Sequence, residues 1–135
     1  MFKIVLQKQV EIILMRQLAS YLTLPVFVVD PEGNLLYYNP PAEPLLGRQF
    51  DEAGEMSMKE WSTIFAPVDE RGAPLPPDAL PLAIALQKRR PAYRRIRITG
   101  LDGVPHELEV VAFPLEGQGR RFLGAVAIFY SVNAR

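Results

Sequence analysis

PVFVVDPEGNLLYYNPPAEPLLG, residues 25–47, carries the strongest structural signal in this 135-residue chain. It opens with Val26–Val29, a β-branched and aromatic run that is typical of a buried strand. Asp30–Asn34 supplies turn chemistry, with a glycine where a positive φ is expected. Leu35–Tyr38 then returns as the partner strand, so the first half of the stretch predicts a β-hairpin.

A short helix is predicted directly after this hairpin. Asn39 stands at the expected N-cap, and Pro40 fits the first helical position, where a missing N–H costs nothing. Gly47 is expected to end the helix in the left-handed conformation.

Composition places the chain among single-domain globular proteins. Hydrophobic residues make up 49%, and 15 basic residues balance 15 acidic ones. A neutral chain has no overall field to draw it to nucleic acid or to a membrane, so we expect neither as a partner. No cysteine is present, which excludes disulfides and thiolate metal sites. The longest apolar run near the N-terminus, Ile12–Met15, is too short for a membrane span, and we expect a cytoplasmic protein.

The N-terminal segment, residues 1–23, is predicted to form an amphipathic helix ahead of a domain over 24–135. Its apolar residues form two neighbouring stripes, a face wider than one contact with a sheet requires. One stripe can pack on the sheet and the other on a second copy, which predicts a homodimer. The alternative is one broad face docked on its own domain.

The rest of the chain reads as short helices followed by strands. Density of proline over residues 66–82 predicts an extended connector. The predicted elements are helices at Lys59–Phe65 and from Asp78 onward, and strands at Ala92–Thr99, Pro105–Leu115 and Phe122–Tyr130. This order predicts an α+β domain with a five-stranded antiparallel sheet and its helices on one face.

Four fragments in this order resemble the PAS domains of bacterial sensor kinases. In addition to the opening hairpin they are Asp69-Glu-Arg-Gly-Ala-Pro-Leu75 leading to Leu80-Pro-Leu82, Asp102-Gly103 before a strand ending Pro114-Leu115, and Gly124-Ala-Val-Ala-Ile128. The resemblance spans residues 24–130. It implies a sensory domain of signal transduction, with a signalling protein or an output domain as a further partner.

The cofactors of known PAS domains do not fit this sequence. The flavin type forms a cysteine adduct and places polar amides on its sheet. At the positions that resemble those of the amides, this sequence has the apolar residues Ile98, Leu108 and Val126. Haem needs an axial ligand, and the only histidine, His106, stands beside a turn, where a solvated side chain is expected. We therefore expect no cofactor, no metal and no catalytic residues, although a small apolar molecule could be bound.

Two sets of candidate functional residues follow from strand alternation. The candidate pocket comprises Tyr38, Trp61, Phe65, Leu82, Leu86, Ile96, Ile98, Leu108, Val110, Val126 and Ile128. The candidate helix and dimer interface comprises Leu6, Val10, Ile13, Leu14, Val111, Phe113, Leu123 and Phe129. A pocket holds a few convergent polar groups, and only Tyr38 and Trp61 offer any, so a filled core is the alternative. A pure interaction module, or a small enzyme of the ketosteroid-isomerase type, are the alternative functions.

The basic residues near the third strand invite a nucleic-acid interpretation. Alternation instead puts Arg95 and Arg97 on the same face as Glu107 and Glu109 of the next strand. Opposite charges across an antiparallel pair stabilise a sheet. The sequence therefore predicts a cross-strand salt lattice.

Overall fold

The computed structural model describes residues 2–50 and 54–132, and the side chains of the first helix from residue 12 onward. Within these ranges it contains helix α1, the hairpin β1–β2, three short helices and three further strands, with single 3-10 turns between them. Their bounds are α1 Phe2–Tyr21, β1 Val26–Val29, β2 Leu35–Tyr38, α2 Glu43–Leu46, α3 Met58–Ile64, α4 Pro81–Lys88, β3 Ala92–Thr99, β4 Pro105–Glu116 and β5 Phe122–Ser131. The predicted α+β class and the five strands are confirmed.

The five strands form one antiparallel sheet in the order β2-β1-β5-β4-β3. The first and last strands thus lie side by side in its middle. Helices α2 to α4 cover one face, called here the inner face, and bury most of the core there. α1 lies on the opposite, outer face, where Ala19 packs with Val26, Val28 and Val126.

Local interactions define two helix ends, of which the sequence predicted the one at Gly47. Gly47 ends α2 in the left-handed region, with φ of 76°. Ser57 and Glu60 form a reciprocal capping box at the start of α3, which satisfies two otherwise unpaired N–H groups. Asn39 stands at the predicted N-cap position of a 3-10 turn, but its side chain makes no capping bond.

The predicted faces of β5 are wrong beyond Leu123. The register passes from Glu116↔Phe122 to Leu115↔Gly124, so Leu123 is an extra residue in β5. Gly124 adopts φ of +130°, and this bulge reverses the alternation of every later residue. The nearly continuous apolar run of β5 carries no polar residue that could reveal the reversal.

Candidate functional site

The inner face encloses a small apolar cavity of about 50 Å³. Known ligand pockets span roughly 300–1,000 Å³, and roughly 150 Å³ is enough for benzene. The space between sheet and helices is therefore almost filled by side chains. The lining residues are Phe27, Leu46, Trp61, Phe65, Pro67, Leu80, Pro81, Leu82, Ile96, Ile98, Val110, Ala127 and Phe129.

Both polar groups predicted for the pocket are bound by main-chain carbonyls. The indole Nε1 of Trp61 donates to the carbonyl oxygen of Gly33 at 2.7 Å. The hydroxyl of Tyr38 donates to the carbonyl oxygen of Arg48 at 2.8 Å. Each bond ties a buried aromatic ring to a neighbouring turn, so these groups hold the core together.

The predicted pocket residues separate into three groups. Trp61, Phe65, Leu82, Ile96, Ile98 and Val110 line the cavity. Tyr38, Leu86 and Leu108 are buried in the same core beside it. Val126 and Ile128 lie on the outer face and were wrongly assigned, because the β5 bulge turns them away.

Phe129 shows the same correction in the opposite direction. It was predicted for the outer face, yet it stands opposite Val110 of β4 and lines the cavity with Ala127. Residues directly opposite each other in an antiparallel pair share a face. The strand register, which the sequence does not show, therefore determines the faces of Phe129 and Ala127. Val126, whose place in the sequence resembles a flavin-holding position, therefore lies outside the interior. The residues on either side of it in the chain face the interior and are also apolar.

His106 is not a freely solvated side chain as predicted. It stands opposite Ile98 in the β3–β4 ladder and so shares the inner face. Its Nε2 atom is buried and has no hydrogen-bond partner among the residues that the structure describes. The residue lies at the end of the strand, outside the lining of the cavity.

Helix α1 presents large apolar side chains to solvent. The exposed fractions are Ile13 59%, Leu14 58%, Leu18 53% and Tyr21 76%. Ile13 and Leu14 were predicted for the interface, whereas the side chains of Leu6 and Val10 lie outside the described residues. The exposed residues form an apolar stripe, called here the α1 stripe.

The outer face of the sheet receives the other side of α1. Met15 and Ala19 pack there with Phe113, Val126 and Ile128. Leu123 lies here too, as predicted, and Val111 is half-buried. A groove of about 290 Å³ runs between α1, the end of β4 and the start of β5. It is lined by Ile12, Leu14, Met15, Leu18, Leu115, Glu116 and Leu123.

Asn39 connects α1 to the sheet through three hydrogen bonds. Its Nδ2 donates to the carbonyl oxygens of Ala19 and Leu24, each at 2.9 Å. Its Oδ1 accepts the N–H of Val26 at 2.9 Å. Asn39 is fully buried, so one side chain satisfies the last turn of α1 and the start of β1 together.

The predicted salt lattice on the outer face forms only in part. Arg97 pairs with Glu107, with Nη2 to Oε1 at 3.2 Å. The Glu109 carboxylate instead accepts the hydroxyl of Tyr93, and this hydrogen bond is the main reason that the pKa of Tyr93 is raised. Among the described residues, Arg95 makes no ion pair or side-chain hydrogen bond. Its predicted partner, Glu109, binds Tyr93 instead.

Comparison with known proteins decides the family. A family model described as "PAS domain" matches residues 23–134, most of the chain. The chain belongs to the PAS domain family. The opening hairpin, the sheet and the helices therefore belong to a PAS domain. This family membership sets aside the alternative of a ketosteroid-isomerase-type enzyme.

Solved structures share the fold of this PAS domain at low sequence identity. The PAS domain of a protein from Colwellia psychrerythraea has a TM-score of 0.63 and 18% identity, covering 97% of this chain and 99% of its own. The PAS domain of Bordetella pertussis BvgS has a TM-score of 0.62 and 17% identity, with coverage of 93% and 88%. A Rhodobacter sphaeroides LOV protein has a TM-score of 0.68 and 16% identity, with coverage of 90% and 66%. No curated protein sequence matches.

Over residues 2–50 and 54–132, no helix combines the length and apolarity needed to cross a membrane. In the same ranges, no three histidine or carboxylate side chains come together as a metal site would require.

Proposed function

We propose that this PAS domain is a non-enzymatic signal-relay module that forms a homodimer through α1. The observation that carries the proposal is the α1 stripe, whose four large side chains are each more than half exposed. Contiguous apolar surface of this kind marks an interaction site in soluble proteins. The groove beside α1 extends the same surface onto the sheet.

A second copy is the occupant that this surface favours. Leu14 and Leu18 belong both to the stripe and to the wall of the groove. A helix from a symmetry-related copy can therefore cover the stripe and enter the groove with the same residues that receive it. Such a self-complementary patch is what a two-fold dimer requires.

The relay follows from the bonds that join α1 to the sheet. Asn39 holds the end of α1 against β1, and β1 pairs with β5 in the middle of the sheet. A rearrangement of the inner core that shifts β1 would move α1 and hence the dimer contact. We assign this coupling as the route by which the domain passes on a signal.

The interior supports the version of this function without a resident ligand. A cavity of about 50 Å³ is smaller than a small aromatic molecule needs, and its lining among the described residues carries no carboxylate or histidine. An apolar ligand would require α3 and the segment before α4 to move away from the sheet. The same lining offers no acid or base for catalysis.

Sedimentation velocity tests self-association. The wild-type protein is expected to sediment as a dimer, and the double variant Leu14→Glu, Leu18→Glu as a folded monomer. Ile64→Glu is the matched control, since Ile64 is exposed on α3, away from the stripe. A dimer that survives the double substitution, or a monomeric wild type at micromolar concentration, would contradict the proposal.

Native mass spectrometry of the purified protein tests the interior. We expect the mass of the polypeptide alone. An added mass of a few hundred daltons that denaturation removes would instead favour a ligand-binding sensor.

A further inference from the structure

Strand β3 forms one edge of the sheet, and only part of that edge is covered. Val68 and Arg97 exchange two main-chain hydrogen bonds, at 2.9 and 3.0 Å, and the N–H of Thr99 donates to the carbonyl oxygen of Phe65. The main-chain groups of these two β3 residues therefore point away from β4. The proline-rich connector thus occupies the end of the edge nearest the β3–β4 turn.

The other end of this edge is free. Alternate residues of an edge strand point their N–H and C=O groups outward, so Tyr93 and Arg95 direct theirs to the same side as Arg97. No described residue outside β3 and β4 bonds to them, because the chain after Val68 turns back on itself at Asp69–Gly72. Two donors and two acceptors are left in the geometry that a further strand would pair with.

Basic side chains lie in and just before the free part of β3. Arg94 and Arg95 are exposed, and neither makes an ion pair or a side-chain hydrogen bond with the described residues. Exposed Lys88, Arg89 and Arg90 lie just before β3, where α4 ends. Arg89 instead stacks on the ring of Phe122 in β5, at 4.4 Å from its centroid, so its charge is directed away from the β3 edge.

Three acidic residues, Asp69, Glu70 and Glu109, offset part of this charge. The carboxylate of Asp69 accepts the neutral N–H groups of Ala73 and Arg71 within its own turn, and it also interacts electrostatically with Arg94. Glu109, on the neighbouring strand β4, accepts a hydrogen bond from the hydroxyl of Tyr93. The exposed basic residues Lys88, Arg90, Arg94 and Arg95 still outnumber these three carboxylates, so a small excess of positive charge remains among the described residues.

We propose that the free edge of β3 at Tyr93–Arg95 binds an extended acidic segment of a partner protein as an added strand. Main-chain pairing supplies the docking geometry, and the surrounding arginines select for acidic side chains. A second copy of this chain is a poor occupant, since antiparallel pairing of two β3 edges would set arginines against arginines. The site is separate from the surface that α1 covers, which includes residues of β1, β4 and β5.

Fluorescence anisotropy with a labelled eight-residue peptide of alternating Glu and Val, capped at both ends, tests the proposal on the full chain. Two N-methylated versions, one methylated at every Val and one at every Glu, remove alternate N–H groups without changing charge. Because only one set of N–H groups can face β3, one version is expected to bind at least about tenfold more weakly and the other to bind nearly as well as the parent.

Variants of Arg95 separate main-chain pairing from charge. Arg95→Pro removes an outward N–H that the fold does not use, and should abolish binding. Arg95→Gln keeps that N–H and should weaken binding by about two- to fivefold, an effect that salt reduces. Arg48→Gln, a surface arginine after α2, is the matched control and should leave binding unchanged.

Three results would overturn the proposal. Equal binding of both N-methylated peptides and the parent would mean that charge alone holds the peptide. Tighter binding of a twelve-residue oligothymidylate than of the peptide would assign the patch to nucleic acid. Failure of the parent peptide to bind at low ionic strength would mean that the arginines only protect an edge strand from association.

Discussion

Replacing Asn39 with alanine should destabilise the domain by about 2–5 kcal/mol. The substitution removes three hydrogen bonds, and each contributes about 1 kcal/mol net to stability. The N–H of Val26 would remain buried without a partner, which raises the cost beyond that sum. The expected loss is therefore large for a side chain that forms no part of the cavity.

Urea denaturation followed by circular dichroism measures this loss. Asn34→Ala is the matched control, because the Asn34 side chain makes a single bond, to Asp30 in the β1–β2 turn at 3.1 Å. It should cost only about 0.5–1 kcal/mol. Hydrogen exchange should also show faster exchange in the last turn of α1 for Asn39→Ala alone, because that turn loses its attachment to the sheet.

An aspartate at the same position separates the two halves of the Asn39 side chain. Asn39→Asp keeps an acceptor for the N–H of Val26, but it cannot donate to Ala19 or Leu24 and sets a negative charge against their carbonyls. It should be at least as destabilising as alanine. Losses below about 1 kcal/mol in both variants, comparable to Asn34→Ala, would refute the idea that this residue joins α1 to the sheet.

Three further predictions address the bulge, the core and the connector. Gly124→Ala should cost at least about 3 kcal/mol, since φ is +130° and an added Cβ would lie 2.0 Å from the carbonyl oxygen of Val29; a melting temperature equal to wild type would rule this out. Trp61→Phe should cost about 2 kcal/mol in urea denaturation, because it leaves the carbonyl of the β1–β2 turn unpaired; a change under about 0.5 kcal/mol would show that the bond contributes little. The N–H of Ala73, with a second N–H of the same turn, lowers the pKa of Asp69 below 3.8, so the turn is stabilised above that pH and loses this contribution as the pH falls below it; an NMR titration midpoint at or above 3.8 would contradict this.

Interactions between neighbours in the chain were predictable from the sequence alone. The hairpin β1–β2 and the stop at Gly47 depend on turn residues and on a glycine that can adopt positive φ. The alternation of Ile96 and Ile98 gave the faces of β3 correctly, because a half-buried strand has polar residues on its other face. Each of these features depends on residues only a few positions apart.

Residues whose partners lie far away in the chain were placed only by the tertiary structure. Asn39 has the sequence context of an N-cap, yet three backbone groups outside its own turn bind its side chain. Tyr93 takes the carboxylate that alternation assigns to Arg95, because a diagonal neighbour across two strands competes with the one directly opposite. Neither outcome leaves a trace in local periodicity.

Local sequence patterns were therefore enough to predict the family, the order of elements and the membership of most of the core. The tertiary structure decided which face of β5 lines the interior, how little space is left there, and which apolar and basic groups remain uncovered. The physical reason is that one extra residue in β5, accommodated by the close approach of Gly124 to β1, inverts a whole strand. That approach exists only after two strands far apart in the chain have paired.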